Sequence, residues 1–187
     1  MKEAIKKATE ILKQGGIILY PTDTIWGIGC DATNPEAVEK VYKIKQRSDS
    51  KSLVVLASDL DMVAKYVKEI PEMAATLVEI TDKPLTIIYP DAIGLAANAI
   101  AEDGTIAIRV PMHEFCQQLL RSFHKPIVST SANISGEKSP VHLKDVTEKI
   151  TSSVDWTAEP TWDEGATGKA SSIIMLKVDG QVKIIRE

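Results

Sequence analysis

Thr22, Asp23 and Thr24 follow directly on the apolar run Ile17-Ile18-Leu19-Tyr20, with Pro21 between them. Two stiff hydroxyls and a carboxylate at the end of a buried strand can serve a pocket or satisfy local turn amides. Gly27 and Gly29, just beyond, let backbone approach a ligand or turn with positive φ. The pattern recurs in Ile127-Val128-Ser129-Thr130-Ser131-Ala132-Asn133, where a second apolar run ends in hydroxyls and an amide. If the two runs are parallel neighbours, their C-terminal edges lie together, where open α/β sheets bind ligands. Cations add to this set. Lys43, Lys45 and Arg47, continued by Lys51, either complement a helix C-terminus or hold an anion. Arg109, closing the strand-like Thr105 to Val110, needs a partner for its planar fork, whether an internal carboxylate or a ligand.

Several chemistries find no support. Gly27-Ile28-Gly29 lacks the third glycine of a dinucleotide site, and no phosphate-binding loop of the G-x-x-x-x-G-K-[ST] type occurs. His113, His124 and His142 are not at metal-ligand spacing, and Cys30 and Cys116 form no C-x-x-C pair. Buried packing residues are the reading for Trp26, Trp156 and Trp162.

The elements that must position these groups follow from periodicity. Ile5, Ala8, Ile11 and Leu12 share a helical face closed by Gly15-Gly16. Asn34-Pro35 reads as N-cap and first residue of a helix burying Val38, Val41 and Ile44, which ends in Lys43 to Arg47. Strands are expected at Leu53–Ala57, Leu85–Tyr89, Thr105–Val110 and Pro126–Thr130, with helical patterns near Asp61–Val67, Pro71–Ile80 and His113–Phe123. Ser139-Pro140 fits the start of a further helix through Leu143 and Val146. Ser172–Val178 and Gln181–Arg186 flank Asp179-Gly180, a two-residue hairpin signal. Thr157–Ala170 reads as a mobile loop. The alternation indicates an α/β fold with a mixed sheet.

At 187 residues, 44% of them hydrophobic, the chain suits one globular domain spanning 1–187. No apolar run approaches a membrane span, and the N-terminus does not read as a signal peptide, so a cytoplasmic setting is expected. Twenty-two basic against 26 acidic residues give a net charge of -4, which argues against an overall cationic field for nucleic acid.

Taken together, Tyr20-Pro21-Thr22-Asp23-Thr24 with Gly27-Ile28-Gly29, Lys45-Gln46-Arg47, Ile108-Arg109-Val110-Pro111 and Ser131-Ala132-Asn133-Ile134-Ser135-Gly136 closely resemble the YrdC-like threonylcarbamoyl-adenylate synthase family. The resemblance spans nearly the whole chain. It implies a twisted mixed α/β sheet with flanking helices around a concave basic pocket. It also implies conversion of L-threonine, bicarbonate or CO2, and ATP with Mg²⁺ to threonylcarbamoyl-AMP and pyrophosphate, the product passing to a tRNA threonylcarbamoyl transferase. By the same resemblance Arg109 holds the threonine carboxylate, and Thr24, Ser129 and Ser172 line the amino-acid side. Arg47, Lys51, Thr105, Ser131, Ser139 and Arg186 line the nucleotide side. Lys45, Arg47, Ser131 and Asn133, from the Lys-x-Arg and Ser-x-Asn signatures, stand among the catalytic groups, and no metal ligand is assigned. The chain departs from the family pattern at Gln46, Ser48 and Ser52, at Trp26 in place of a tyrosine, which is expected to reshape the pocket wall, and at Leu56, a position that can be polar. Two non-enzymatic readings compete. One is a double-stranded RNA-binding translation or ribosome-assembly factor, using Lys40, Lys43, Lys45, Arg47 and Lys51; the other is a carboxylate-binding regulator without turnover.

Overall fold

The computed structural model describes residues 1–46 and 53–187. Helix α1 (Lys2–Lys13) buries Ile5, Ala8, Thr9 and Leu12 and stops at Gly15, whose φ of 72° suits glycine. Gly15 N–H and Gly16 N–H donate back to the Leu12 and Ile11 carbonyls. The chain then enters strand β1 (Ile18–Tyr20), buried throughout. Strand β2 (Gly27–Gly29) follows, where the sequence suggested only a loop. A two-glycine segment carries no strand signal of its own; pairing with β1 and β6 on either side imposes the extended form.

Helix α2 (Pro35–Lys45) opens as expected: the Asn34 side chain accepts from the Glu36 and Ala37 amides, with Pro35 at the first position. It ends at Gln46, which takes the left-handed conformation (φ 51°). Then come β3 (Val54–Leu56), the short α3 (Leu60–Val63), α4 (Glu72–Ile80), β4 (Leu85–Tyr89), β5 (Ile106–Arg109), α5 (Glu114–Phe123) and β6 (Ile127–Ser131). Ser139-Pro140 opens no helix. The chain there makes a short 3-10 turn at Leu143–Asp145 before α6 (Glu148–Thr151).

Strand β7 (Trp156–Thr157) precedes the loop that leads to β8 (Ser172–Leu176) and β9 (Val182–Arg186). That loop is tied down: Thr167 and Gly168 N–H donate to the Asp23 and Thr24 carbonyls. The hairpin between β8 and β9 uses three loop residues, Val178-Asp179-Gly180, rather than two. Gly180 N–H returns to the Lys177 carbonyl, Lys177 N–H to that of Gln181, and Gly180 has φ 84°.

The strands form one mixed, twisted sheet in the order β7-β1-β2-β6-β3-β5-β4-β8-β9. β1 and β6 are therefore not neighbours. The glycine strand β2 lies between them, antiparallel to both, so β1 and β6 still run the same way. Register sorts the side chains onto two faces. Ile28, Val128, Val55, Ile108 and Ile87 make one buried apolar row. The opposite face carries Tyr20, Gly27, Ser129, Ser131, Val54, Arg109, Thr86, Ile173 and Arg186, as successive cross-strand partners or residues two apart. Helix α5 lies against this second face at Tyr20, with the Phe115 ring 6.5 Å away, and α1 packs on α5. Among the described residues no helix is long and apolar enough to cross a membrane.

Candidate functional site

The polar face holds a cavity of about 320 Å³. It lies on the pleated surface of the sheet, not at the strand ends where the two hydroxyl clusters suggested it. Gly27 forms part of the floor, since a Cβ there would meet the Thr130 carbonyl at 3.3 Å and Ser129 Oγ at 3.4 Å. Ser129, Thr130 and Ser131 of β6 and Val54 of β3 continue the floor; Thr22, Thr24 and Ile25 close one side. Ala170, Ser171, Ile173 and Arg186 close another, and Ser139 reaches in from its loop. Among the described residues the lining contains two arginines and no carboxylate.

Arg109 is 5% exposed, and its positive charge is balanced from behind. Its Nη1 lies 2.7 Å from Asp23 Oδ1 and donates also to Thr24 Oγ1 at 3.2 Å. The other Asp23 oxygen accepts from the Met112 amide at 3.1 Å. Both alternatives left open for this arginine thus coexist: it is ion-paired internally and it faces the cavity. Its Nε is buried without a hydrogen-bond partner. Arg186, by contrast, donates from Nε and Nη2 to the Ser171 carbonyl, at 2.9 and 2.7 Å. Partial burial, and then the neighbouring Arg109 charge, lower its pKa.

The hydroxyls have a fixed sense. Thr22 Oγ1 gives its one proton to the Ile25 carbonyl at 2.7 Å, so in the 2.8 Å Thr22–Thr24 contact Thr24 is the donor. Thr24 then accepts from Arg109 and has only acceptor capacity left for a ligand.

Not every residue expected at the site lines the cavity. Ser172 does not, because side chains alternate along a strand and Ile173 already faces inward; Ser171 occupies the inward phase and bonds Thr86 Oγ1 at 2.7 Å. Lys45 and Asn133 lie behind the cavity wall. Lys45 Nζ, 3% exposed, donates to the Ser131 and Asn133 carbonyls at 2.6 and 2.8 Å, and Asn133 Nδ2 donates to the Ile134 and Glu137 carbonyls. These groups hold the end of β6 in place. Thr105 sits at the start of β5, on the same face as Ala107 and Arg109, its hydroxyl bonded to Asp103 at 2.7 Å. At about 3.3 Å per residue it stands roughly 13 Å from Arg109, beyond the described lining. Arg47, Lys51, Ser48 and Ser52 lie outside the described residues.

Trp26 does not reshape the wall. It is fully buried, donating from Nε1 to Asp163 Oδ2 at 3.3 Å, while its neighbours Ile25 and Gly27 line the cavity. Leu56, also buried, pairs with Arg109 across the sheet without lining the cavity. Ser171 is a cavity-lining position that sequence reasoning did not single out, and Asp23, named there among the polar groups after the first strand, was not paired with Arg109. The invariance of side-chain phase along β8 could have indicated Ser171; the pairing of Asp23 with a residue 86 positions away could not be read from spacing.

Comparison with known proteins gives this site a context. Residues 10–187 match the model of the Sua5–YciO–YrdC family, described as telomere recombination. The threonylcarbamoyl-AMP synthase of Pseudoalteromonas translucida (strain TAC 125) is 34% identical over 158 residues, covering 83% of this chain and 84% of that protein. That of Vibrio parahaemolyticus serotype O3:K6 is 34% identical over 142 residues, 74% of this chain and 77% of that one. The structure of P. abyssi Sua5 complexed with L-threonine superposes with a TM-score of 0.84 at 28% identity over 92% of this chain. This chain spans about half the length of that Sua5, 50% of it being covered. E. coli YciO, at 23% identity and a TM-score of 0.81 over 100% of this chain and 90% of that one, shows the same fold. By a match that runs from residue 10 to residue 187, and by relatives at 34% identity, the chain belongs to the Sua5–YciO–YrdC family.

Proposed function

We propose that the protein is an L-threonylcarbamoyladenylate synthase, a nucleotidyltransferase that makes threonylcarbamoyl-AMP and pyrophosphate from L-threonine, bicarbonate or CO2, and ATP. The observation that carries this reading is the convergence of Arg109 and Arg186 with Ser129, Ser131 and Ser171 on one cavity. Two fixed cations among hydroxyls suit a carboxylate and a phosphate together. The names of the two 34% identical relatives support the same reaction.

In this reading Arg109 binds the threonine carboxylate, and Thr24 accepts from the amine or hydroxyl of the substrate. Ser129 and Ser171 complete the amino-acid side. Arg186, Ser131 and Ser139 face the nucleotide, with Thr105, Arg47 and Lys51 assigned to its far end, and Mg²⁺ enters with ATP. The threonine nitrogen bonds to the carbon of CO2 and releases a proton, giving a carbamate. A carbamate oxygen then attacks the α-phosphorus, the bond from that phosphorus to the β-bridging oxygen breaks, and pyrophosphate leaves with the electron pair. Positioning and charge neutralisation supply the acceleration without a covalent protein intermediate. Lys45 and Asn133 contribute by fixing the end of β6.

The downstream partner is a tRNA threonylcarbamoyl transferase, and the setting is cytoplasmic. The double-stranded RNA-binding reading is not favoured, since the relatives carry an enzyme's name. Pyrophosphate release should require threonine, bicarbonate and ATP together. Undiminished release without threonine would mark a nucleotide hydrolase and defeat the assignment.

A further inference from the structure

Arg109 has five N–H donors, and their use is uneven. Both hydrogens of Nη1 are committed, one to Asp23 Oδ1 at 2.7 Å and one to Thr24 Oγ1 at 3.2 Å. An end-on fork through Nη1 and Nη2 is therefore closed to any ligand. The Nε–H, buried and without a partner, remains together with Nη2 along the opposite edge. These two nitrogens form the side edge of the guanidinium, whose parallel N–H bonds match the two oxygens of a carboxylate. Asp23 sets this choice of edge. Its carboxylate is itself pinned by the Met112 amide at 3.1 Å, and Met112 follows β5 by three residues, so the arginine and its anchor belong to one rigid unit.

We propose that Asp23 is a positioning residue that holds Arg109 by Nη1, so that the Nε–Nη2 edge receives the carboxylate of the amino-acid substrate side-on. This rests on the reading of the cavity as a threonine site. It also accounts for charge. Among the described residues the cavity lining holds Arg109 and Arg186 and no carboxylate, Asp23 standing behind Arg109, and a bound carboxylate supplies a further negative charge. A buried N–H without an acceptor is costly even on an ion-paired guanidinium, so the orphaned Nε–H is best understood as a donor reserved for the ligand.

The Nε–H of Arg109 can be observed directly by ¹⁵N-edited NMR of the wild-type protein, assigned by its absence in Arg109→Lys. Titration with L-threonine and, separately, with sodium acetate should move that proton downfield. A proton unmoved by either carboxylate overturns the proposal. Movement with acetate but not with threonine keeps the edge assignment and rejects threonine as the ligand. Asp23→Asn should weaken threonine binding in calorimetry by roughly tenfold to a hundredfold while ATP affinity stays within about twofold. Equal losses for both ligands, or no loss for threonine, would reduce Asp23 to a packing role and overturn the proposal.

Discussion

Arg186 contacts the Ser171 carbonyl through two nitrogens and lines the same cavity as Arg109, so it is both a strut for the last strand and a cation available to a ligand. The two roles separate on mutation. Arg186→Ala removes a side chain from an exposed strand and should leave the fold intact. It should weaken ATP binding by roughly 1 to 3 kcal/mol, the range for a charge-assisted contact, as measured by calorimetry. Unchanged nucleotide affinity and turnover would leave Arg186 as a strut alone. Trp26 illustrates the opposite case. A large aromatic beside two site residues looks as if it should reach the ligand, yet its ring is buried and its indole nitrogen serves Asp163.

At the scale of the element, side-chain phase decides which residues act. Ser171, Ile173 and their neighbours alternate, so only one of the adjacent serines can face the cavity. Ser171→Ala should therefore cost about 0.5 to 1.5 kcal/mol in threonine binding, whereas Ser172→Ala should stay within about 0.5 kcal/mol of wild type. Threonine titrations of the two variants check this directly; the reverse order would mean that β8 is paired one residue out of register. Much at this scale was legible in the sequence. Leu85–Tyr89 has the bounds its apolar run suggests, and Asn34 caps α2 through its own side chain. The glycine strand β2 was not legible, because glycine signals a turn locally and becomes a strand only through its two neighbours.

For the molecule as a whole, four phenols and thiols are sealed in the interior. Burial raises the pKa of Tyr20 and Tyr89 from their ordinary 10.0, and those of Cys30 and Cys116 from 9.0. Each stays protonated in the fold well above the pH at which it ionises in the unfolded chain. The unfolded state then binds fewer protons, so stability is full below about pH 9 and falls as pH rises beyond it. Each such group can cost up to about 1.4 kcal/mol per pH unit above its unfolded pKa. Urea unfolding followed from pH 8 to 10.5 should show a midpoint that is flat at first and then declines. A midpoint flat throughout would mean that water reaches these groups in the folded protein.

The sequence by itself determined the alternation of helices and strands, the caps, and the residue types that two apolar runs deliver, because these depend on contacts within a few residues along the chain. It also carried Arg109 as a cation in need of a partner. Only the tertiary structure decided that the partner is Asp23, that β2 separates the two hydroxyl-bearing strands, and that the cavity opens on the sheet face with Ser171 turned inward. These features follow from strand order and register, which are set by pairing between segments far apart in the chain, where a shift of one residue exchanges the two faces.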